Sequence, residues 1–92
     1  MKLIDDIQKN QIDVLSQMGL TIKKIKVTHS SENSIVYKIF LDNSYVSIFY
    51  NWEQQKVTFQ FFLANEYKKI SKECSNLNNL HSIVINEIFS NL

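Results

Sequence analysis

The 92-residue chain contains no arginine, so all ten of its basic residues are lysines. Arginine supplies the planar fork that reads guanine and clamps phosphate, and its absence lowers the standing of nucleic acid as a partner. A single glycine, Gly19, excludes a glycine-rich phosphate loop. A single cysteine, Cys74, excludes a disulfide framework and fits a reducing compartment. Two histidines far apart, His29 and His81, do not combine with it into a zinc-ligand set. No apolar run is long enough to span a bilayer, and Met1-Lys2-Leu3-Ile4-Asp5-Asp6 sets acids where an export signal needs its apolar segment. A cytoplasmic chain without a membrane segment is expected. The formal charge of +1 argues neither for polyanion binding nor for mimicry of nucleic acid. No carboxylate pair or Ser/His/Asp order with catalytic spacing is legible, so neither an enzyme nor a cofactor is expected.

What is present is a core. Apolar residues make up 45% of the chain, with six Phe beside four Tyr, enough for one small domain over residues 1–92. Residues 2–18 predict a helix with Leu3, Ile7, Val14 and Met18 on one stripe, widened by Ile4 and Leu15. Gly19 is placed to end it. Lys2, Asp6, Lys9 and Asp13 on the opposite side read as a solvated face with weak ion pairs. From Leu20 to Thr28 a first strand is expected, with a bulge at Lys23-Lys24 or a start near Ile25. Its lysines suit an edge strand guarded against edge-to-edge pairing.

The chain is organised around residues 35–63. Ile35, Tyr37, Ile39 and Leu41 alternate, and Asp42-Asn43-Ser44-Tyr45 fits a tight hairpin. A two-residue loop at Asn43-Ser44 would oppose Leu41 to Val46, Ile39 to Ile48 and Tyr37 to Tyr50. After a turn at Trp52-Glu53-Gln54-Gln55, Tyr50 would face Val57, Ile48 would face Phe59, and Val46 would face Phe61. One side is then wholly apolar. The other carries Phe40, Tyr45, Phe49 and Phe62 among polar groups, including Lys38, Thr58 and Gln60. Such a face is explained by a covering C-terminal segment, by cross-strand aromatic packing, or by a partner or homodimer interface. Trp52 in a turn has two readings, a hot spot for binding or a ring folded back over Ile35 at the sheet end.

After Ala64 the spacing turns helical. Tyr67, Ile70, Cys74 and Leu77 form a stripe that makes Cys74 a core residue, with Glu66, Lys68, Lys69, Lys72 and Glu73 toward solvent. Ser75-Asn76-Leu77-Asn78-Asn79 predicts a break, with Asn78 or Asn79 capping a last helix through Ile83, Val84 and Ile88. The expected fold is α+β: an N-terminal helix, a four-stranded antiparallel meander, and one or two C-terminal helices packed on the sheet.

A helix, a Gly-initiated strand and paired strands of the form Tyr45-Val-Ser-Ile-Phe-Tyr50 and Lys56-Val-Thr-Phe-Gln-Phe61 resemble small immunity proteins of bacterial polymorphic and contact-dependent toxin systems. The resemblance runs from Leu3 to about Leu63. It implies a toxin inhibitor that binds one cognate toxin, a nuclease domain among the candidates, by stoichiometric contact. The chain departs from the acidic members of that group in being near neutral. The expected contact residues are Trp52, Glu53, Phe49, Tyr45, Phe40, Phe62, Lys38 and Lys56. Two alternatives stay open: a phage-encoded inhibitor of a host defence complex, and a single-stranded nucleic-acid binder stacking bases on the aromatic face.

Overall fold

The computed structural model describes residues 2–92. Met1 and the side chain of Lys2 lie outside it, and with them part of the expected Lys2–Asp13 strip. Helix α1 (2–17) is α-helical over Lys2–Ile7 and Asp13–Gln17, with one π turn at Gln8–Ile12 between them. A π turn takes in one more residue than an α turn and so rotates everything that follows. The inward positions become Ile7, Gln11, Ile12 and Leu15. Val14 is only half-buried, and Met18, expected on the stripe, is the C-cap and 54% exposed. Gly19 follows at φ 99°. Its N–H donates to the Ser16 carbonyl and that of Leu20 to the Leu15 carbonyl, both at 3.0 Å. These are the two bonds of a Schellman closure, which requires the left-handed residue that glycine supplies.

Five strands follow in one antiparallel sheet whose spatial order is the chain order. They are β1 (Lys24–Ser30), β2 (Ser34–Phe40), β3 (Tyr45–Asn51), β4 (Lys56–Phe62) and β5 (Tyr67–Glu73), and helix α2 (Leu77–Asn91) ends the fold. β5 is the departure from the expected four strands. Its helical spacing of Tyr67, Ile70 and Cys74 is coincidental, because Ile70 pairs with Phe59 and extends the sheet past β4. Only one aliphatic side chain in β5 points inward, between Lys68 and Lys72, which is how edge strands are commonly built. β1, the opposite edge, starts at Lys24, and its irregularity falls between Val27 and His29 instead of at Lys23-Lys24.

The β3–β4 register is the expected one, with Tyr50 opposite Val57, Ile48 opposite Phe59 and Val46 opposite Phe61. The β2–β3 register differs by two residues: Phe40 faces Tyr45, Ile39 faces Val46 and Tyr37 faces Ile48. The hairpin loop is therefore residues 41–44, closed by the Leu41 N–H on the Ser44 carbonyl at 2.9 Å. A two-residue slip leaves each side chain on its own face but changes its neighbours across the strand.

Both helices lie on the same side of the sheet. Ile7 and Leu15 of α1 and Leu80, Val84 and Ile88 of α2 join Ile35, Tyr37, Ile39, Ile48, Phe59 and Phe61 in one core cluster. Each such side chain taken fully from water contributes about 1.5–3 kcal/mol. Cys74 is in that cluster, fully buried, and burial pushes its thiol above the usual range. The cap of α2 is Asn76, earlier than Asn78 or Asn79, and its side chain accepts from the Asn79 N–H at 2.8 Å. Asn79 reaches back to the Ser75 N–H at 3.3 Å, so the pair satisfies two orphan donors reciprocally. Lys72 of β5 meets Glu87 of α2 at 3.2 Å, an ion pair between a half-exposed lysine and a mostly covered glutamate.

One polar chain crosses the core. The Tyr37 hydroxyl donates to Gln11 Oε1 at 2.6 Å, and Gln11 Nε2 donates to His81 Nδ1 at 2.8 Å. Gln11 is fully buried, as is Tyr37. With its oxygen engaged by the phenol, the amide offers only N–H to the imidazole, which fixes Nδ1 as an acceptor and the ring as neutral. Burial lowers the His81 pKa below the ordinary imidazole value, with nearby Asp6 partly opposing it, and drives the Tyr37 phenol far above the tyrosine range. The π turn, the sheet and α2 are thus joined through one glutamine. No helix among the described residues is long and apolar enough to cross a membrane.

Candidate partner-binding face

Because α1 and α2 share one side of the sheet, the other side is left uncovered by any element of the described residues. Its composition follows from strand parity: Ile35, Tyr37 and Ile39 point to the helices, so Val36, Lys38 and Phe40 point away. The pairings then place Lys24, Phe40, Tyr45, Phe62 and Tyr67 in a single row across all five strands. The next row is Lys26, Lys38, Ser47, Gln60 and Lys69. Below it run Val36, Phe49, Thr58 and Ser71, and then Asn51, Lys56 and Glu73.

The aromatic row is a continuous ladder. Ring centroids lie 5.4 Å apart for Phe40 and Tyr45, 4.7 Å for Tyr45 and Phe62, and 5.0 Å for Phe62 and Tyr67. Coplanar rings cannot approach so closely, so Tyr45 and Phe62, only 17° from parallel, stand face to face and present their edges outward. Lys24 Nζ sits 5.1 Å from the Phe40 ring centre, and Lys38 Nζ 5.1 Å from that of Tyr45. These are cation–π contacts. Phe49 stands apart from the ladder and is 44% exposed.

Around Phe49, separated from the ladder by one row, the surface dips into a depression of about 300 Å³. Small polar groups line it: Ser47, Gln60, and Thr58 in a 3.0 Å hydroxyl–hydroxyl bond with Ser71. Lys56 and Lys69 stand at its sides.

Of the residues expected to make contact, Phe40, Tyr45, Phe62, Lys38, Phe49 and Lys56 share this face. Trp52 and Glu53 do not join them. The Trp52 ring leans on Tyr50 at 5.9 Å and borders an apolar cleft with Leu3 and Leu77, on the helix side of the sheet end. Its backbone N–H donates to the Asn33 carbonyl at 3.0 Å, and Glu53 accepts from the Asn33 side chain at 2.9 Å. Both residues therefore help tie the β3–β4 turn to the β1–β2 loop. Tyr67, Lys24, Lys26 and Lys69 belong to the face and were not among the expected residues. The period-two pattern Tyr67, Lys69, Ser71, Glu73 was the signal for two of them, hidden by the competing helical spacing.

No family model, curated protein or solved structure matches the chain.

Proposed function

We propose that the protein is a non-enzymatic, cytoplasmic inhibitor of the immunity type, which neutralises one cognate bacterial toxin domain by stoichiometric contact through its open sheet face. The observation that carries the reading is the uncovered aromatic ladder from Phe40 to Tyr67 with Phe49 beside it. Phe49 and Tyr67 are exposed and Phe40, Tyr45 and Phe62 half-buried, a contiguous aromatic patch of the kind that marks interaction sites. The toxin as partner rests on the resemblance of layout. Base stacking is the competing use of exposed rings, and it needs free ring faces. Along the ladder Tyr45 and Phe62 stack face to face and lysines sit over Phe40 and Tyr45, which leaves fewer free faces and supports a protein partner that packs on ring edges.

The test is co-expression with the toxin domain encoded beside this chain, read as growth and as a one-to-one complex on size exclusion. Phe49→Ser with Phe62→Ser should abolish both protection and the complex while thermal unfolding stays cooperative. Full protection by that folded double variant, or a locus without a toxin gene, would overturn the proposal.

A further inference from the structure

The open face is strongly basic although the chain is not. Lys24, Lys26, Lys38, Lys56 and Lys69 project from it against Glu73 alone, a formal +4 where the whole chain carries +1. The compensating acids lie elsewhere: Asp5, Asp6 and Asp13 on α1, Glu32, Asp42, Glu53 and Glu66 in the loops, and Glu87 on α2. Charge is segregated by face.

Resting on the reading above, we infer that the face docks an acidic protein surface, one that sets carboxylates beside an apolar side chain. The depression explains the arrangement. Its hydroxyls and the Gln60 amide offer hydrogen bonds to a carboxylate, and Lys56 and Lys69 flank it with positive charge. The ladder lies in the next row, beyond Ser47 and Gln60, where an apolar partner residue finds ring edges instead of water. Rows on one strand face are about 7 Å apart, so residues two apart on an extended partner segment, which share one side, reach both. A face-to-face pair of this chain is disfavoured by the same charges, since two such faces would repel. A nuclease held this way is gripped at an acidic surface and not at its cationic nucleic-acid cleft. Inhibition would then come from contact with metal-binding carboxylates or from a site outside the cleft.

Selection of a displayed random-peptide library on the full chain tests this, with oligodeoxythymidine as a second probe. The expected peptides carry Asp or Glu two residues from an aromatic or aliphatic residue. Their affinity should fall about three- to tenfold with each of Lys38→Glu, Lys56→Glu and Lys69→Glu, and should weaken as salt rises. Lys56→Glu alters no ring contact and so guards against a variant that merely misfolds. Basic or uncharged peptides that still depend on Phe49 and Phe62 would overturn the inference and leave the docking face standing. Peptides indifferent to every substitution on the face would overturn both. Oligodeoxythymidine binding tighter than the best peptide near physiological salt would replace the acidic protein with nucleic acid.

Discussion

Tyr45 of β3 and Phe62 of β4 stack across the strand pair, ring centres 4.7 Å apart and planes within 17° of parallel. Neither ring belongs to the core, so their stacking is a surface contribution to stability. A double-mutant cycle with Tyr45→Ser and Phe62→Ser, read by urea unfolding, should give a coupling of about 0.5–1.5 kcal/mol. A coupling near zero would mean that the rings do not hold each other in solution.

Gln11 has the opposite setting, fully buried between Tyr37 and His81. Gln11→Leu would strand a phenol donor and an imidazole acceptor where water does not reach. Each orphaned group costs about 1–3 kcal/mol, so the variant should lose about 2–5 kcal/mol in urea titration. Tyr37→Phe leaves only the amide oxygen unpaired and should cost less than half as much.

His81 predicts a pH dependence. Its pKa in the fold lies below the ordinary value of 6.5. The unfolded chain therefore takes up a proton that the folded chain refuses, and stability declines as pH drops below about 6.5. The decline levels off beneath the lowered folded pKa, and the full contribution is present above neutrality. His81→Asn keeps an acceptor for the Gln11 amide without titrating. Urea midpoints from pH 7.5 to 5 should fall more steeply for the wild type than for this variant, and parallel slopes would remove His81 as the cause.

Gly19 tests backbone strain free of packing. A Cβ added there meets nothing within 4 Å, yet φ is +99°. Gly19→Ala should destabilise by about 1 kcal/mol through conformation alone. No loss would show that the Schellman turn relaxes.

Much of this architecture was readable from residue order. The two helices, the central strands, the β3–β4 register and the inward residues of the central strands followed from periodicities that agree with one another, whereas Met18 and Tyr67, expected on buried stripes, are exposed. The β2–β3 register did not, because alternation reports only parity. Leu41 opposite Val46 and Ile39 opposite Val46 bury the same faces, and the four-residue loop decided between them. That choice turned scattered aromatics into a ladder. β5 was hidden because Ile70 is its single inward aliphatic side chain, and strand character there comes from the free edge of β4. The Tyr37–Gln11–His81 chain had no local signal: a glutamine in a helix looks like solvent surface until a π turn rotates it inward.

The ladder has a consequence for the rate at which a complex falls apart. Rings held by neighbours on adjacent strands have already lost their rotamer freedom when the sheet forms, so docking does not have to freeze them. A surface prepared in this way gains little in speed of encounter, which diffusion and charge govern, and gains mostly in residence time. Loosening the ladder at a ring the partner never touches should therefore shorten the lifetime of the complex while leaving its rate of formation unchanged.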